Sequence, residues 1–219
     1  ISVNPEDPNT NVDDESNIDT KKPNEHMIIT IAREYGSGGR YIGRLVAEKL
    51  GLKFYDKEFI QKLAQKTGLS EEYIENSEQK REVLDNINNG YYAGMNNADE
   101  LYVHEANLIK EIAKKESCVI IGRCADFVLK DRKDVTKIFI YNDMDSKIKR
   151  ATKYYGLDKQ KAEKEITKIN KLRANHYKYY TDLEWDDHSH YDLCINSDAL
   201  GVEKSAELIC DFVKQKELI

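Results

Sequence analysis

The chain has 219 residues, of which 40% are hydrophobic and 34% are charged, with 34 Lys and Arg against 40 Asp and Glu. This length suits one domain with its own hydrophobic core and disfavours two large domains. No stretch of about 18 residues is apolar throughout, and the first residues lack the basic and apolar pattern of a secretory signal. The four cysteines stand far apart without a C-x-x-C pair, so no disulfide framework is indicated. We expect a cytoplasmic protein that has no membrane partner.

Residues 1–26 form an acidic segment with seven acids, two lysines and all three prolines of the chain. They include too few large apolar side chains to fold alone. We therefore expect residues 1–26 to be a disordered tail or linker, which could connect an upstream domain to a single domain at 27–219.

In that domain, short apolar runs alternate with stretches of helical spacing. The predicted strands are apolar at successive positions, which is typical of a parallel sheet covered by helices on both faces. Between 76 and 97 the pattern weakens, and helix fragments with a mobile loop are expected. The predicted strands are 28–31, 53–55, 118–121, 137–141 and 192–195, and the main predicted helices are 41–50, 57–66, 101–113, 144–155, 158–180 and 202–216.

A glycine-rich turn, formed by Gly36, Ser37, Gly38, Gly39 and Arg40, lies between the first predicted strand and the first helix. Glycines allow successive backbone N–H groups to point into one concavity, and the helix N-terminus adds partial positive charge there. The order strand, turn and helix therefore predicts a site for nucleotide phosphates.

The turn departs from the full P-loop pattern, because Gly39 takes the place of the lysine and Arg40 that of the hydroxyl residue. Two other interpretations stay open. A dinucleotide loop is supported by Asp56, 20 residues after Gly36, but Tyr41 is bulky where that motif needs a third small residue. The other is a plain tight turn. If the turn binds phosphate, Arg40 is the candidate replacement for the missing lysine.

Residues 145–178 form a basic segment with eleven Lys and Arg against four acids, in a chain whose net charge is -6. A local basic segment in an acidic protein favours a small anion over a long nucleic acid, which would need a broader basic face. A solvated lysine-rich helix is the structural alternative. A small RNA-binding protein is a weaker third hypothesis.

Three blocks, Ile29–Arg40, Leu45–Gly51 and Phe54–Glu58, resemble the cytidylate kinase-like family of P-loop nucleoside monophosphate kinases. Val119–Asp126 and Tyr191–Asn196 strengthen the resemblance. It implies a three-layer α/β/α fold with a five-stranded parallel sheet. It also implies a helical insertion at about 57–115 that binds the monophosphate, a basic helical lid at about 145–180, and ATP with Mg²⁺ as cofactors.

The resemblance also implies roles for residues outside the turn. In the family, an Arg-Asp pair after the third strand holds the nucleoside monophosphate. Here Arg123 matches, Cys124 replaces the aspartate, and Asp126 is displaced by two positions, which makes Asp126 the candidate for substrate and Mg²⁺ binding. Asp56 matches an acid that faces the substrate, with a helix cap as its structural alternative.

In the lid, Arg150, Lys153, Lys171 and Arg173 are candidates to close on the transferred phosphate. We assign Arg150 and Arg173, with Arg40 and Arg123, to catalysis, and Lys171 to substrate binding. Two residues of a helix that are two positions apart do not share a face. One of Lys171 and Arg173 is therefore expected to be structural.

Two further clusters have a structural explanation that we favour. Tyr177, Tyr179, Tyr180 and Trp185 could stack on a base, but aromatic residues at this density are typical of packing. The segment 186–190 contains an H-x-H pair that could bind a metal, but a polar loop before the last strand explains it.

The leading hypothesis is transfer of a phosphoryl group from ATP to a nucleoside monophosphate, with Mg²⁺. The alternative is a nucleotide-binding module with little or no turnover, because Gly39 and Arg40 replace the P-loop lysine and hydroxyl. If the turn is a degraded lysine form, the double change Gly39→Lys with Arg40→Ser is expected to raise turnover.

Overall fold

Residues 26–75 and 91–216 are described by the structure, a computed structural model, with the backbone alone described for 91–97. Nearly all of the expected acidic tail and most of the expected mobile loop lie outside the described residues. The five strands are β1 (Ile28–Arg33), β2 (Lys53–Tyr55), β3 (Cys118–Ile121), β4 (Val135–Tyr141) and β5 (Leu193–Asn196). The main helices are α1 (Gly39–Leu50), α2 (Lys57–Thr67), α3 (Tyr91–Lys115), α4 (Ala125–Val128), α5 (Met144–Tyr155), α6 (Lys159–Thr181), α7 (Ser197–Leu200) and α8 (Val202–Lys216).

The five strands form one parallel sheet in the order β2-β3-β1-β4-β5. Ile28 of β1 lies opposite Cys118 of β3 on one side and Val135 of β4 on the other. The central strands are buried along nearly their whole length, as expected for strands with helices on both faces. The five-stranded parallel sheet is therefore confirmed.

Helices cover both faces of this sheet. On one face, Ile29 and Ile31 of β1 pack with Val46 of α1 and Ile209 of α8. On the other face, Ile28 belongs to a second cluster with side chains of α2 and α3, such as Phe59 and Leu108. Neighbouring residues of β1 therefore serve opposite layers, and the expected three-layer α/β/α fold is confirmed.

The basic segment folds into the two helices α5 and α6, which we call the basic helix pair. Gly156 ends α5 with φ +70°, and the Asp158 side chain begins α6 by accepting a hydrogen bond from the Gln160 N–H at 2.8 Å. Ala151 of α5 packs with Ile166 of α6 in a small buried cluster that also includes Tyr35. This cluster fastens the pair beside the glycine turn. Among the described residues, no helix is long and apolar enough to cross a bilayer.

Candidate functional site

The glycine turn lies between the end of β1 and the start of α1. Gly36 and Gly38 have φ of +86° and +80°, a backbone region that favours glycine. The Ser37 hydroxyl donates to the Glu34 carbonyl at 2.9 Å and accepts from the Gly39 N–H at 3.3 Å. The Ser197 hydroxyl, from α7, donates to the Ser37 carbonyl at 2.6 Å. The turn is thus held by hydrogen bonds of its own Ser37 and by one from Ser197, which directly follows β5.

The basic helix pair lies directly over this turn. A Cβ added to Gly36 would lie 2.9 Å from the Lys147 Cβ, and a Cβ added to Gly38 would lie 2.9 Å from the Arg150 Cζ. These approaches are closer than van der Waals contact allows. The glycines therefore permit two cations of α5 to contact the turn.

The charged groups of Lys147 and Arg150 differ in their hydrogen bonds to the rest of the protein. The Lys147 ammonium is nearly buried and donates to Glu34 Oε2 at 3.0 Å, and the same oxygen accepts from the Asn142 N–H. The Arg150 guanidinium lies 5.0 Å from the centre of the Tyr154 ring. Within the described part of the chain, its buried Nε has no hydrogen-bond partner. Arg150 is thus a cation at the turn with a donor available to a ligand.

Helix α6 contacts the turn through one face. Asn170 Oδ1 accepts from the Tyr35 N–H at 2.7 Å, and Arg173 Nη1 donates to the Arg33 carbonyl at 3.0 Å. Lys171 lies between them in sequence and is exposed, as is Lys153 of α5. Arg173 therefore faces the end of β1 whereas Lys171 faces solvent, as their spacing of two residues on one helix predicted.

Arg40 and Asp56 form an ion pair with each other. The Arg40 side chain is 47% exposed, whereas that of Asp56 is 17% exposed. Asp56 immediately precedes α2, but its side chain makes no capping hydrogen bond. Both residues lie beside the turn, and their roles in phosphate and substrate binding stay predictions.

Arg123 occupies a turn of unusual backbone conformation after β3. Gly122, Arg123 and Cys124 have φ of +67°, +58° and +51°, and two such residues other than glycine in succession are uncommon. Arg123 forms an ion pair with Glu105 of α3, whose side chain is 3% exposed. The guanidinium also lies 5.4 Å from the centre of the Phe59 ring. The turn and Glu105 together fix the position of Arg123.

Three arginines line one narrow cleft at the carboxyl ends of the central strands. Arg33 is the last residue of β1, Arg123 follows β3, and Arg173 comes from α6. The other lining residues are Cys124, His176, Tyr177 and Trp185. The Arg33 guanidinium also lies against Gly122, where any Cβ would collide with it. Such a concentration of guanidinium groups is suited to a phosphate.

Asp126 has a different environment from these arginines. It is 5% exposed and accepts a hydrogen bond from the Tyr177 hydroxyl at 2.6 Å. Burial raises the pKa of both side chains, although the hydrogen bond from Tyr177 opposes this for Asp126. Asp126 does not line the arginine cleft, and the described residues contain no group of three or more His, Cys, Asp or Glu arranged to hold a metal. Its role as a ligand of substrate or Mg²⁺ stays a prediction.

The aromatic residues and the segment 186–190 have mainly structural contacts. Tyr177 and Trp185 belong to a buried cluster, and Tyr180 stacks on Tyr102 with ring centres 3.9 Å apart. His188–His190 form a 3₁₀ turn rather than a strand, and Asp187 accepts from the Ser189 N–H. The favoured explanations, packing and a polar loop, agree with these contacts.

The residues of the site that the sequence interpretation missed include Arg33, Glu34, Glu105, Lys147 and Asn170. One of them carried a signal, because the full P-loop pattern has its first glycine five positions before Gly38, where this chain has Arg33. The others act through contacts between distant segments, which no local pattern encodes.

A parallel sheet with a glycine turn after its central strand, under a basic helical cover, defines the P-loop kinase class of α/β folds. Residues 28–199 match the model of the cytidylate kinase-like family. The chain belongs to this family, within the superfamily of P-loop nucleoside monophosphate kinases.

Curated relatives and solved structures agree with this assignment. The chain is similar to the cytidylate kinase of Archaeoglobus fulgidus, with 28% identity over 195 residues, 88% of this chain and 97% of that one. The cytidylate kinase of Methanocaldococcus jannaschii is 29% identical over 182 residues, 81% of this chain and 92% of that one.

Two solved structures extend the comparison to three dimensions. An uncharacterized protein from Eubacterium ventriosum has a TM-score of 0.66 and 27% identity, over 86% of this chain and 99% of that one. Shikimate kinase from Acinetobacter baumannii, in complex with shikimate, has a TM-score of 0.53 and 16% identity over 90% and 97% of the two chains. The second likeness concerns the fold alone.

Proposed function

We propose that the protein transfers the γ-phosphoryl group of ATP to a nucleoside monophosphate. The observation that carries this proposal is the convergence of Lys147, Arg150 and Arg173 on a glycine turn that has no lysine of its own. The curated relatives named cytidylate kinase support a nucleotide as the substrate class.

The turn and the basic helix pair suit the triphosphate of ATP. The absence of side chains at Gly36 and Gly38 lets Lys147 and Arg150 lie close to the turn, and the N-terminus of α1 adds partial positive charge. Arg150 would donate its unused Nε–H to the β- or γ-phosphate and neutralise charge that develops during transfer. Arg150 of α5 would thus take the role that the lysine has in a full P-loop.

The arginine cleft suits the phosphate of the acceptor. Arg123 and Arg33 would hold its oxygens, and Glu105 keeps the Arg123 guanidinium in place. Arg173 lines this cleft and also contacts the end of β1, so it would lie between the two phosphates. Holding donor and acceptor in line is the main requirement of phosphoryl transfer.

ATP would enter as its magnesium complex, in which the metal neutralises the charge of the phosphate oxygens. Mg²⁺ in kinases keeps several waters and is held mostly by substrate phosphates with one or two carboxylates. Glu34 and Asp56, the carboxylates beside the turn, are bound to Lys147 and Arg40. We therefore assign no protein ligand to the metal beyond the prediction for Asp126.

A nucleotide-binding module with little turnover is the second candidate, and one observation favours it. A Cβ on Gly39 would lie 2.6 Å from the Arg33 Cβ. Gly39 therefore cannot become the P-loop lysine without displacement of β1. This loop would then hold a nucleotide without the side chain that usually contacts the transferred group.

One experiment separates the two candidates. Purified protein is incubated with ATP, Mg²⁺ and each nucleoside monophosphate in turn, and the diphosphate product is measured alongside ATP affinity by calorimetry. A kinase produces diphosphate with one preferred acceptor, whereas a binding module binds ATP and forms none.

The residue assignment is tested with Arg150→Ala and the matched control Lys149→Ala, which removes an exposed charge from the same helix. Losing a charge-assisted hydrogen bond, worth about 1.5 to 3 kcal/mol, should lower kcat/KM by roughly 10- to 150-fold. The control should stay within about twofold, since exposed charges contribute little. Equal effects of the two variants would contradict the role of Arg150.

A further inference from the structure

A second cavity lies between α4, the C-terminal end of α6 and the segment before β5. Its volume is about 510 Å³, within the range of sites that bind small molecules. Phe127, Leu183 and Tyr191 provide apolar walls, and Lys130 and Lys137 line it. The cavity shares Tyr177 with the arginine cleft, but none of its charged residues belongs to the cleft or to the glycine turn.

Two lysines, Lys130 and Lys137, and two aspartates, Asp126 and Asp192, line the cavity. Lys137 lies on the face of β4 that also carries Phe139. Within the described part of the chain its ammonium makes no ion pair or hydrogen bond, but its charge acts on Asp126 and opposes the rise in the pKa of that carboxyl. The Lys130 ammonium lies 4.2 Å from the centre of the Phe127 ring at the cavity wall. By contrast, Asp192 is already bound to Lys216 and to the Lys137 N–H.

Hydrogen-bonding groups line the same cavity. Asp126 and Tyr177 are hydrogen-bonded to each other at 2.6 Å and both are buried. Thr181 and Ser189 add hydroxyl groups. Buried polar groups beside two lysine ammonium groups distinguish this cavity from an incidental gap between helices.

We propose that this cavity is a second ligand site for a small phosphomonoester that carries sugar hydroxyls. Its phosphate would bind Lys130 and Lys137, because lysines bind phosphate as point charges. Its hydroxyl groups would bind Ser189 and the accessible edge of Asp126, because the Thr181 hydroxyl is already bound to the Tyr177 carbonyl and the Leu183 N–H. A pentose phosphate has this chemistry, whether free or as part of a nucleotide.

The test records amide chemical shifts of the whole chain during titration with ribose 5-phosphate, with CMP and with uncharged ribose. Amides of Lys130, Ser189 and His190 report on the second cavity, while those of Gly36 and Gly38 report on the turn. We expect ribose 5-phosphate to shift the first group and ribose to shift neither. A shift of the first group by CMP alone would point to a nucleotide rather than to a free sugar phosphate, and still supports the site.

The double variant Lys130→Ala with Lys137→Ala should weaken this response roughly tenfold or more. Replacement of both by Arg should retain it, and Lys133→Ala, which removes an exposed charge from the loop between them, should leave it unchanged. Shifts confined to Gly36 and Gly38, or a response that survives the double Ala change, would overturn the proposal. Because the turn has its own reporters, failure of the second site is distinct from failure of nucleotide binding.

Discussion

At the junction of β1 and α1, the Arg33 side chain occupies the space that a side chain on Gly39 would need. The Cβ of Arg33 lies 2.6 Å from the place that a Cβ on Gly39 would take, and its Cγ lies 3.1 Å away. The P-loop pattern has glycine at the first of these positions and lysine at the second. In this chain the first position has the side chain of Arg33, which leaves no room for a side chain at the second position, Gly39.

This contact predicts coupled effects of substitution at the two positions. Gly39→Ala should destabilise the fold by about 1 to 3 kcal/mol, the usual cost of overpacking. In the presence of Arg33→Gly, which removes the opposing Cβ, the cost of Gly39→Ala should fall by about 0.5 kcal/mol or more. Denaturant unfolding of the four proteins of this cycle measures the coupling, and additive effects would contradict the contact.

The same contact bears on the expectation that Gly39→Lys with Arg40→Ser raises turnover. The lysine form needs space that Arg33 takes, so the double change should lower stability without a gain in rate. Addition of Arg33→Gly should restore part of the lost stability. Steady-state kinetics of the double and triple variants check both statements.

Gly38 provides a test of phosphate binding with a matched control. Gly38→Val places a branched side chain against Arg150 at φ +80°, so ATP affinity should fall below detection by calorimetry. Gly51→Val introduces similar backbone strain at φ +66°, but nothing lies within 4 Å of its Cβ. Gly51→Val should therefore lose stability yet keep ATP affinity. Retained affinity in Gly38→Val would exclude the turn as the phosphate site.

The pair of Glu105 and Arg123 predicts a large effect of single substitution. Both side chains are mostly buried, so Glu105→Leu removes the carboxylate partner of a buried cation and should cost about 3 to 5 kcal/mol. Glu105→Leu with Arg123→Met removes both charges and should be more stable than the single variant. Thermal unfolding compares them, and a double variant less stable than the single one would contradict this account.

Asp126 predicts a defined pH dependence of stability. Burial raises its pKa above the ordinary value, opposed by the hydrogen bond from Tyr177 and the charge of Lys137. The folded state then holds this proton more tightly than the unfolded state, so the carboxyl contributes most below about pH 4 and progressively less as pH rises towards the raised pKa. The free energy of unfolding of the wild type minus that of Asp126→Asn should decrease as pH rises above about 4. A constant difference would contradict the shift.

The basic helix pair predicts protection from amide exchange by ligand. Residues 145–178 carry a net charge of +7 by the count of Lys and Arg against acids, which anions would neutralise. Exchange in α5 and α6 should slow when ATP and a monophosphate are added, while β3 stays protected throughout. Higher salt should weaken the effect. Equal protection without ligand would identify the pair as a solvated face that does not act as a lid.

The sequence predicted the periodic parts of this molecule well. All five strands overlap their predicted runs. In the central strands β1 and β3, continuous β-branched and aliphatic residues mark burial on both faces. The differences lie at the ends, since β4 begins at Val135 and α1 at Gly39, positions that capping and tertiary contacts determine. Helices α4 and α7 were not predicted, because four residues carry no period.

The candidate site was harder to predict from the sequence than the fold. The glycine turn follows from local composition, but the cations over it do not. Arg40 was the obvious candidate by proximity in sequence, and it forms an ion pair with Asp56. Lys147 and Arg150 reach the turn from more than 100 residues away, as the hydrogen bond between Lys147 and Glu34 illustrates. Such contacts depend on the crossing of helices over a sheet edge.

The parallel sheet has a consequence for how the chain folds during synthesis. Strand β1 is central and is made first, yet its first partner, β3, lies 90 residues later, the separation of the contact between Met27 and Ser117. At about 5 to 20 residues per second, translation leaves β1 unpaired for roughly 5 to 20 seconds. During that time its apolar run from Ile28 to Ala32 is exposed to other chains. Early binding of a chaperone to this segment is therefore expected on the ribosome.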